Sequence, residues 1–270
     1  MVSHSHSPAP AASASGSSAA PRVAFFGGSF DPPHLGHLAI ARAARTALKL
    51  DRVLFAPVAA QPLKPRGSSA SFADRAAMTR LAIAGESAFE LSLLDAPSTA
   101  LASTSSAPKE PPNYTLETLQ RLRAQLPASA TLFCLIGADS FLTLRRWHRA
   151  AEIPFAAALI VAARPGQSLE DLAAALPEDL TLAPDPSSAA SSPVLLSPAL
   201  SRPTELRVFA VRNAAGASAP LFLLPGLHFD LSASEIRSRL RSALHSGPPA
   251  SDALLPPAVY RYIAEHGLYL

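Results

Sequence analysis

The stretch Arg22-Val-Ala-Phe-Phe-Gly-Gly-Ser-Phe-Asp-Pro-Pro-His-Leu-Gly-His37 decides how the rest of the chain is read. Residues 22–26 are a short apolar run ending in Gly27-Gly28, the pattern of a buried strand. Over 34–50, apolar residues recur at helical spacing at Leu35, Leu38, Ile40, Ala44 and Leu48, so a helix follows the strand after one turn. A strand feeding a helix N-terminus is a natural anion site, because free backbone N–H groups and the helix dipole converge there. Gly27 and Gly28 let backbone approach a phosphate with no Cβ in the way. Pro32 and Pro33 stiffen the turn. His34 and His37 bracket the helix start, so both rings can face one phosphate, and Gly36 leaves room beside the helix for a nucleoside. The pattern is neither the Gly-x-Gly-x-x-Gly dinucleotide fingerprint nor a Walker loop, which makes a dinucleotide-dependent oxidoreductase a poor reading.

The same rhythm continues outward. Strands are expected at 53–57, 90–94, 131–136 and 155–161, and helices at 71–84 and 115–126. Ser71 is placed to cap its helix, with Asp74 three residues on. Strands alternating with helices predict an α/β fold, a Rossmann-like doubly wound parallel sheet with crossover helices on both faces. The strands are continuous apolar runs, as covered faces require. Apolar segments at 205–211 and 220–224 can finish the sheet, and helices at 234–245 and 257–266 close the chain.

Of 270 residues, 49% are hydrophobic, 16% are charged and 27 are proline. That apolar share excludes disorder throughout. The prolines concentrate in a tail over 1–21, expected to be disordered, and in stretches 96–112 and 176–203, expected to be flexible insertions in a single domain over 22–270. A net charge of +3 is not the basic stripe of a nucleic-acid binder. The N-terminus lacks the basic and apolar regions of a signal peptide. The longest apolar run, 155–163, falls far short of the roughly 20 residues of a membrane span. The expected location is the cytoplasm. The single cysteine, Cys134, excludes a disulfide scaffold and lies in an apolar run, as a buried inert thiol would.

The segment Gly27-Gly-Ser-Phe-Asp-Pro-Pro-His-Leu-Gly-His37 resembles the signature of the His-x-Gly-His nucleotidyltransferase superfamily. Within it, residues 22–270 look like the nicotinate-nucleotide adenylyltransferase family. Gln61-Pro-Leu-Lys64, Asn113-Tyr-Thr115, Ile136-Gly-Ala-Asp139 with Arg146-Trp147, Ala163-Arg-Pro-Gly166, Leu231-Ser-Ala-Ser-Glu-Ile-Arg237 and the ending at 255–269 follow in that family's order. Each alone is weak, whereas six in order are specific.

The resemblance implies adenylyl transfer from ATP to nicotinate mononucleotide, giving deamido-NAD and pyrophosphate, by in-line attack with no covalent enzyme intermediate. It implies that His34 and His37 are catalytic, and that Gly27, Gly28, Ser29, Phe30, Gly36, Ser232, Ser234, Ile236 and Arg237 bind ATP. It further implies that Lys64, Tyr114, Thr115, Gly137, Asp139, Trp147 and Arg164 bind nicotinate mononucleotide, with Trp147 stacking on the pyridine ring. Mg²⁺ is expected to arrive with ATP, held by substrate oxygens and water rather than by a carboxylate cage. Read physically, Ser232 or Ser234 caps a helix whose N–H groups can receive a phosphate. Asp139 either accepts from a ribose hydroxyl or caps the next helix. The chain departs from the family pattern at Ala233 for a hydroxyl residue, Leu63 for a histidine, His148 for a tyrosine and Leu93 for an acid. The alternatives are an adenylyltransferase for nicotinamide mononucleotide or another phosphorylated acceptor such as phosphopantetheine, and a non-catalytic nucleotide-binding module.

Overall fold

A computed structural model of the chain describes residues 20–64, 67–97, 112–163, 169–185, 193–194, 204–224, 232–243 and 254–270. The opening strand β1 (Arg22–Gly28) leads through its loop into α1 (Leu35–Leu48), as the apolar spacing predicts. The alternation continues with β2 (Arg52–Pro57), α2 (Phe72–Ile83), β3 (Phe89–Leu91), α3 (Thr115–Gln125) and β4 (Thr131–Gly137). Then follow short helices α4 (Ala138–Phe141) and α5 (Ile153–Ala156), strand β5 (Ala158–Ala162) and helix α6 (Leu169–Ala175). Strand β6 (Leu180–Pro184), the two-residue strands β7 (Pro193–Val194) and β8 (Thr204–Glu205), and a hairpin of β9 (Arg207–Asn213) and β10 (Ser218–Leu224) come next. Helices α7 (Ala233–Ala243) and α8 (Pro257–Glu265) close the molecule.

Eight strands form one sheet in the order β3-β2-β1-β4-β5-β10-β9-β6. From β3 to β10 all neighbours are parallel, while β9 and β6 are added antiparallel. Alternate residues of the central strands serve opposite faces. Ala24, Phe26, Phe133 and Leu135 join a core with the inner sides of α1, α2, α7 and α8. Val23, Phe25, Leu132, Cys134 and Ile136 join a second core with α3, α5 and α6. Both faces are therefore covered, which is why the strands read as unbroken apolar runs. Strand order reverses between β1 and β4, and the carboxyl ends of strands at such a switch point border a ligand crevice.

The sequence reading needs correction in three places. Residues 155 and 156 belong to α5, not to a strand, because Pro154 suits the first turn of a helix and the strand begins only at Ala158. The strand expected at 90–94 is Phe89–Leu91. Beyond it Ser92 N–H still reaches Phe55 O at 2.8 Å, but Ala96 N–H turns back to Leu93 O at 3.0 Å. Within the stretch read as an insertion at 176–203, Leu180–Pro184 is an edge strand paired with β9. Its proline sits at the last residue, where an edge tolerates a missing N–H. The other prolines of 186–192 and 195–203, with the tail over 1–19 and the stretch 98–111, lie outside the described residues. No helix among the described residues is long and apolar enough to cross a membrane.

Candidate active site at the carboxyl ends of β1 and β4

The β1–α1 loop is built around buried aromatic rings. Phe30 takes a left-handed φ of 46° and is 1% exposed, packed edge-on to Phe26 at 5.5 Å. A non-glycine residue in that region is strained by about 1–3 kcal/mol, and persists because the surrounding packing holds it. The glycines before it answer to the same rings. A Cβ on Gly27 would meet the Phe25 ring at 2.8 Å, and one on Gly28 would meet Phe30 at 3.2 Å. The protein's own packing thus opposes a side chain at Gly27, where a ring would have to shift, and crowds one at Gly28.

His34 is the N-cap residue of α1, with extended backbone. Its N–H donates to Nδ1 of His37 at 3.1 Å, and the two rings lie 3.7 Å apart. Because Nδ1 of His37 is an acceptor, the proton of the neutral ring is on Nε2, which makes that nitrogen a donor. The edge of His37 is fixed against Phe30, 4.9 Å between centroids. Nδ1 of His34 is buried with no hydrogen-bond partner among the described residues. Burial lowers the pKa of His34 to about 4. His37 is pushed well below its ordinary value by burial first, then by His34 and Lys64. Both imidazoles are therefore neutral at pH 7 in the free site.

These rings open into a cavity of about 980 Å³, the size of a site for a large ligand. One wall is cationic. Lys64 Nζ donates to Ser29 Oγ at 2.9 Å, and Ser29 Oγ in turn donates to Gln61 Oε1 at 3.0 Å. Burial and the nearby Arg237 lower the Lys64 pKa, despite the pull of Asp31. Ser232 caps α7, its Oγ accepting from Glu235 N–H at 3.1 Å, whereas Ser234 Oγ accepts from Arg237 at 3.1 Å. The cap is therefore Ser232, while Ser234 steadies the guanidinium. Beneath this wall Arg75, 1% exposed, donates to Ser29 O at 2.7 Å and holds the loop from behind.

The opposite wall is aromatic. Gly137 is the N-cap of α4, so Asp139 is not the cap but lies in the first turn, exposed and lining the cavity. Trp147 is half-buried, its indole N–H donating to Thr143 Oγ1 at 3.1 Å. Tyr114 and His148 face each other at 4.3 Å. Arg146 lines the same end of the cavity.

The structure brings nearly all the sequence-derived candidates together. Gly27, Gly28, Ser29, Phe30, His34, Gly36, His37, Lys64, Tyr114, Thr115, Gly137, Asp139, Trp147, Ser232, Ser234 and Arg237 all line this one cavity. Ile236 does not. It is 1% exposed and belongs to the core under α7, since it points to a different side of the helix from Arg237. Arg164 lies outside the described residues. Asp31, Arg75 and Tyr269, outside the sequence-derived candidates, are buried and tie the β1–α1 loop to its surroundings. The one signal available was a charged residue, Arg75, on the inner side of a helix otherwise packed on the core. Cys134 is 2% exposed and its thiol is pushed up to about 12 by burial, as expected for an inert residue.

Known proteins resemble the chain in the same region. Residues 25–239 match the cytidylyltransferase-like family model. A probable nicotinate-nucleotide adenylyltransferase of Pelobacter propionicus is 37% identical over 248 residues, covering 92% of this chain and 98% of that protein. One of Gloeobacter violaceus is 34% identical over 248 residues, covering 92% and 96%. The solved structure of Plasmodium falciparum nicotinic acid mononucleotide adenylyltransferase complexed with NaAD superposes with a TM-score of 0.59 at 17% identity, covering 92% of this chain and 97% of that one, and shares the fold. With the family model matching residues 25–239 and relatives 34–37% identical over 92% of its length, the chain belongs to the nicotinate-nucleotide adenylyltransferase family of cytidylyltransferase-like proteins.

Proposed function

We propose that the chain transfers the adenylyl group of ATP to nicotinate mononucleotide, yielding deamido-NAD and pyrophosphate, as a step of NAD biosynthesis. The observation that carries this reading is the close His34–His37 pair at the start of α1, open to a cavity with cations on one side and aromatic rings on the other. A phosphate oxygen of the mononucleotide attacks the α-phosphorus of ATP. The new P–O bond forms as the bond to the β-phosphate bridging oxygen breaks, and pyrophosphate leaves. Such a displacement needs alignment and charge stabilisation rather than a protein nucleophile.

The residues divide the work by position. The neutral His37 donates from Nε2 to an oxygen of the transferring phosphoryl group, where charge builds up. His34, with its ring against His37, presents its second nitrogen to the same place. Lys64, Arg237 and the N-terminal end of α7 face the leaving phosphates. Mg²⁺ enters as part of the ATP substrate, coordinated by its phosphate oxygens and water. Trp147 and Tyr114 provide flat apolar surfaces for the pyridine ring. Arg145 is paired with Glu178 at 3.5 Å and Arg149 with Glu152 at 2.7 Å. Arg146, between them, has no ion pair among the described residues and lines the aromatic end, where its charge favours a ring carboxylate over a carboxamide.

The test is pyrophosphate release from Mg–ATP with nicotinate mononucleotide, with its amide, or with no acceptor. Release is expected with the acid and at a lower rate with the amide. Equal or faster turnover of the amide refutes the acceptor assigned here. ATP binding with no release for any mononucleotide refutes the reaction.

A further inference from the structure

Four distant parts of the chain meet at Asp31, in the β1–α1 loop. This residue is 4% exposed. Its Oδ2 accepts from Ser69 N–H at 2.6 Å, and its Oδ1 accepts from Ala70 N–H at 3.0 Å and from the Tyr269 hydroxyl at 2.8 Å. A carboxylate only accepts, so Tyr269 is the donor. Arg237 is the fourth participant. Its Nη1 donates to the backbone carbonyl of Asp31 at 2.7 Å and stands 3.7 Å from Oδ2. The guanidinium is thus a long ion-pair partner of a carboxylate whose Oδ1 already has two donors and whose Oδ2 has one, too far away to donate a hydrogen bond to it.

Tyr269, beyond helix α8, is 8% exposed and its backbone takes a left-handed φ of 67°. A residue with a Cβ keeps that conformation only where its surroundings demand it. The turn that delivers it is fastened by Leu268 N–H to Ile263 O at 3.0 Å. Helix α8, from which the turn departs, is itself anchored by Tyr262 Oη donating to Asp74 at 3.0 Å. The segment after α8 is folded back so that the Tyr269 hydroxyl reaches Asp31 behind the cationic wall.

We infer that Tyr269 is a positioning residue for adenylyl transfer, its hydroxyl occupying Asp31 and so leaving the Arg237 guanidinium directed at the phosphates of ATP. The inference rests on the function proposed above. Without the hydroxyl, Oδ1 loses a donor, and the Arg237 guanidinium, already 3.7 Å from Oδ2, is drawn onto the carboxylate. A hydrogen-bonded Arg237–Asp31 pair satisfies the carboxylate but withdraws the cation from the substrate.

Tyr269→Phe removes the hydroxyl and keeps the ring. The loss of about one charge-assisted hydrogen bond to ATP lowers kcat/KM for ATP about tenfold. The KM for nicotinate mononucleotide stays within about twofold, since its ring lies at the other wall. In an Arg237→Ala background the same substitution changes kcat/KM for ATP by less than about twofold, because no guanidinium remains to be positioned. Calorimetric binding of Mg–ATP to the full chain, with no acceptor present, weakens by the same tenfold. An unchanged kcat/KM for ATP, equal losses for both substrates, or an undiminished effect in the Arg237→Ala background overturns the assignment. If the wild-type chain releases no pyrophosphate, the proposed reaction fails, and the ATP-binding comparison alone still decides the role of Tyr269.

Discussion

Replacing His37 strikes the hydrogen bond that one ring nitrogen makes in the fold and the catalytic donation proposed for the other. Nδ1 accepts from His34 N–H at 3.1 Å, and so caps α1. Nε2 is left to donate into the cavity. His37→Ala removes both. The lost catalytic donor costs about 3–4 kcal/mol in the transition state, or roughly 10²–10³ in kcat. The orphaned His34 N–H costs a further ~1 kcal/mol of folding stability, a fall in Tm of about 2–4 °C for a chain of this size. His37→Gln separates the two. Glutamine at the third helical position is a favoured capping-box residue, whose amide oxygen can take the His34 N–H. Its Tm is expected to stay near wild type while kcat falls as far as in His37→Ala. Steady-state pyrophosphate release and thermal melts of both variants provide the check. If His37→Gln turns over within about threefold of wild type, donation from Nε2 is not what the site uses.

Three further outcomes follow from the same geometry. His34 has a pKa of about 4 when folded, against an ordinary value of 6.5, so the unfolded chain takes up a proton first as pH falls. Its stabilising share is complete above 6.5 and drains away towards pH 4, reaching about 3 kcal/mol. Urea midpoints at pH 7 and pH 4.5 should converge in His34→Gln by about that amount relative to wild type, and an equal pH dependence in both proteins contradicts the burial argument. Cys134, with its thiol raised to about 12 and 2% exposure, should react with an aromatic disulfide reagent only as fast as the protein opens. Rapid stoichiometric labelling of native protein would show the β4 core to be accessible. Arg146→Ala should narrow the preference for nicotinate over nicotinamide mononucleotide by about three- to fivefold, the worth of an exposed charge pair. An unchanged ratio of kcat/KM values removes Arg146 from acceptor choice.

Legibility in the sequence followed how local the cause was. The β1–α1 junction could be read because one short segment contains its own determinants: an apolar run, two glycines, two prolines and histidines three residues apart. Ser71 was recognisable as a cap, and its Oγ accepts from Asp74 N–H at 3.1 Å. The α5 turn is not legible because residues 155–163 are apolar throughout, and period alone does not separate a buried strand from a buried helical turn. Strand β6 was hidden because an edge strand needs little apolar pattern once β9 supplies its hydrogen bonds. Ile236 sits beside Arg237 in the motif, yet consecutive helical residues point in different directions, and only the packed α7 shows which of them faces the cavity.

The alternation of strand and helix and the family can be read from the sequence alone, because each depends on residues close together or on motif order. Only the tertiary structure decided which nitrogen of His37 carries the proton, which serine caps α7 and what holds Arg237 in place. Those depend on groups brought together across the fold. Asp31 and Tyr269 are 238 positions apart, and no local pattern reveals a hydrogen bond between them.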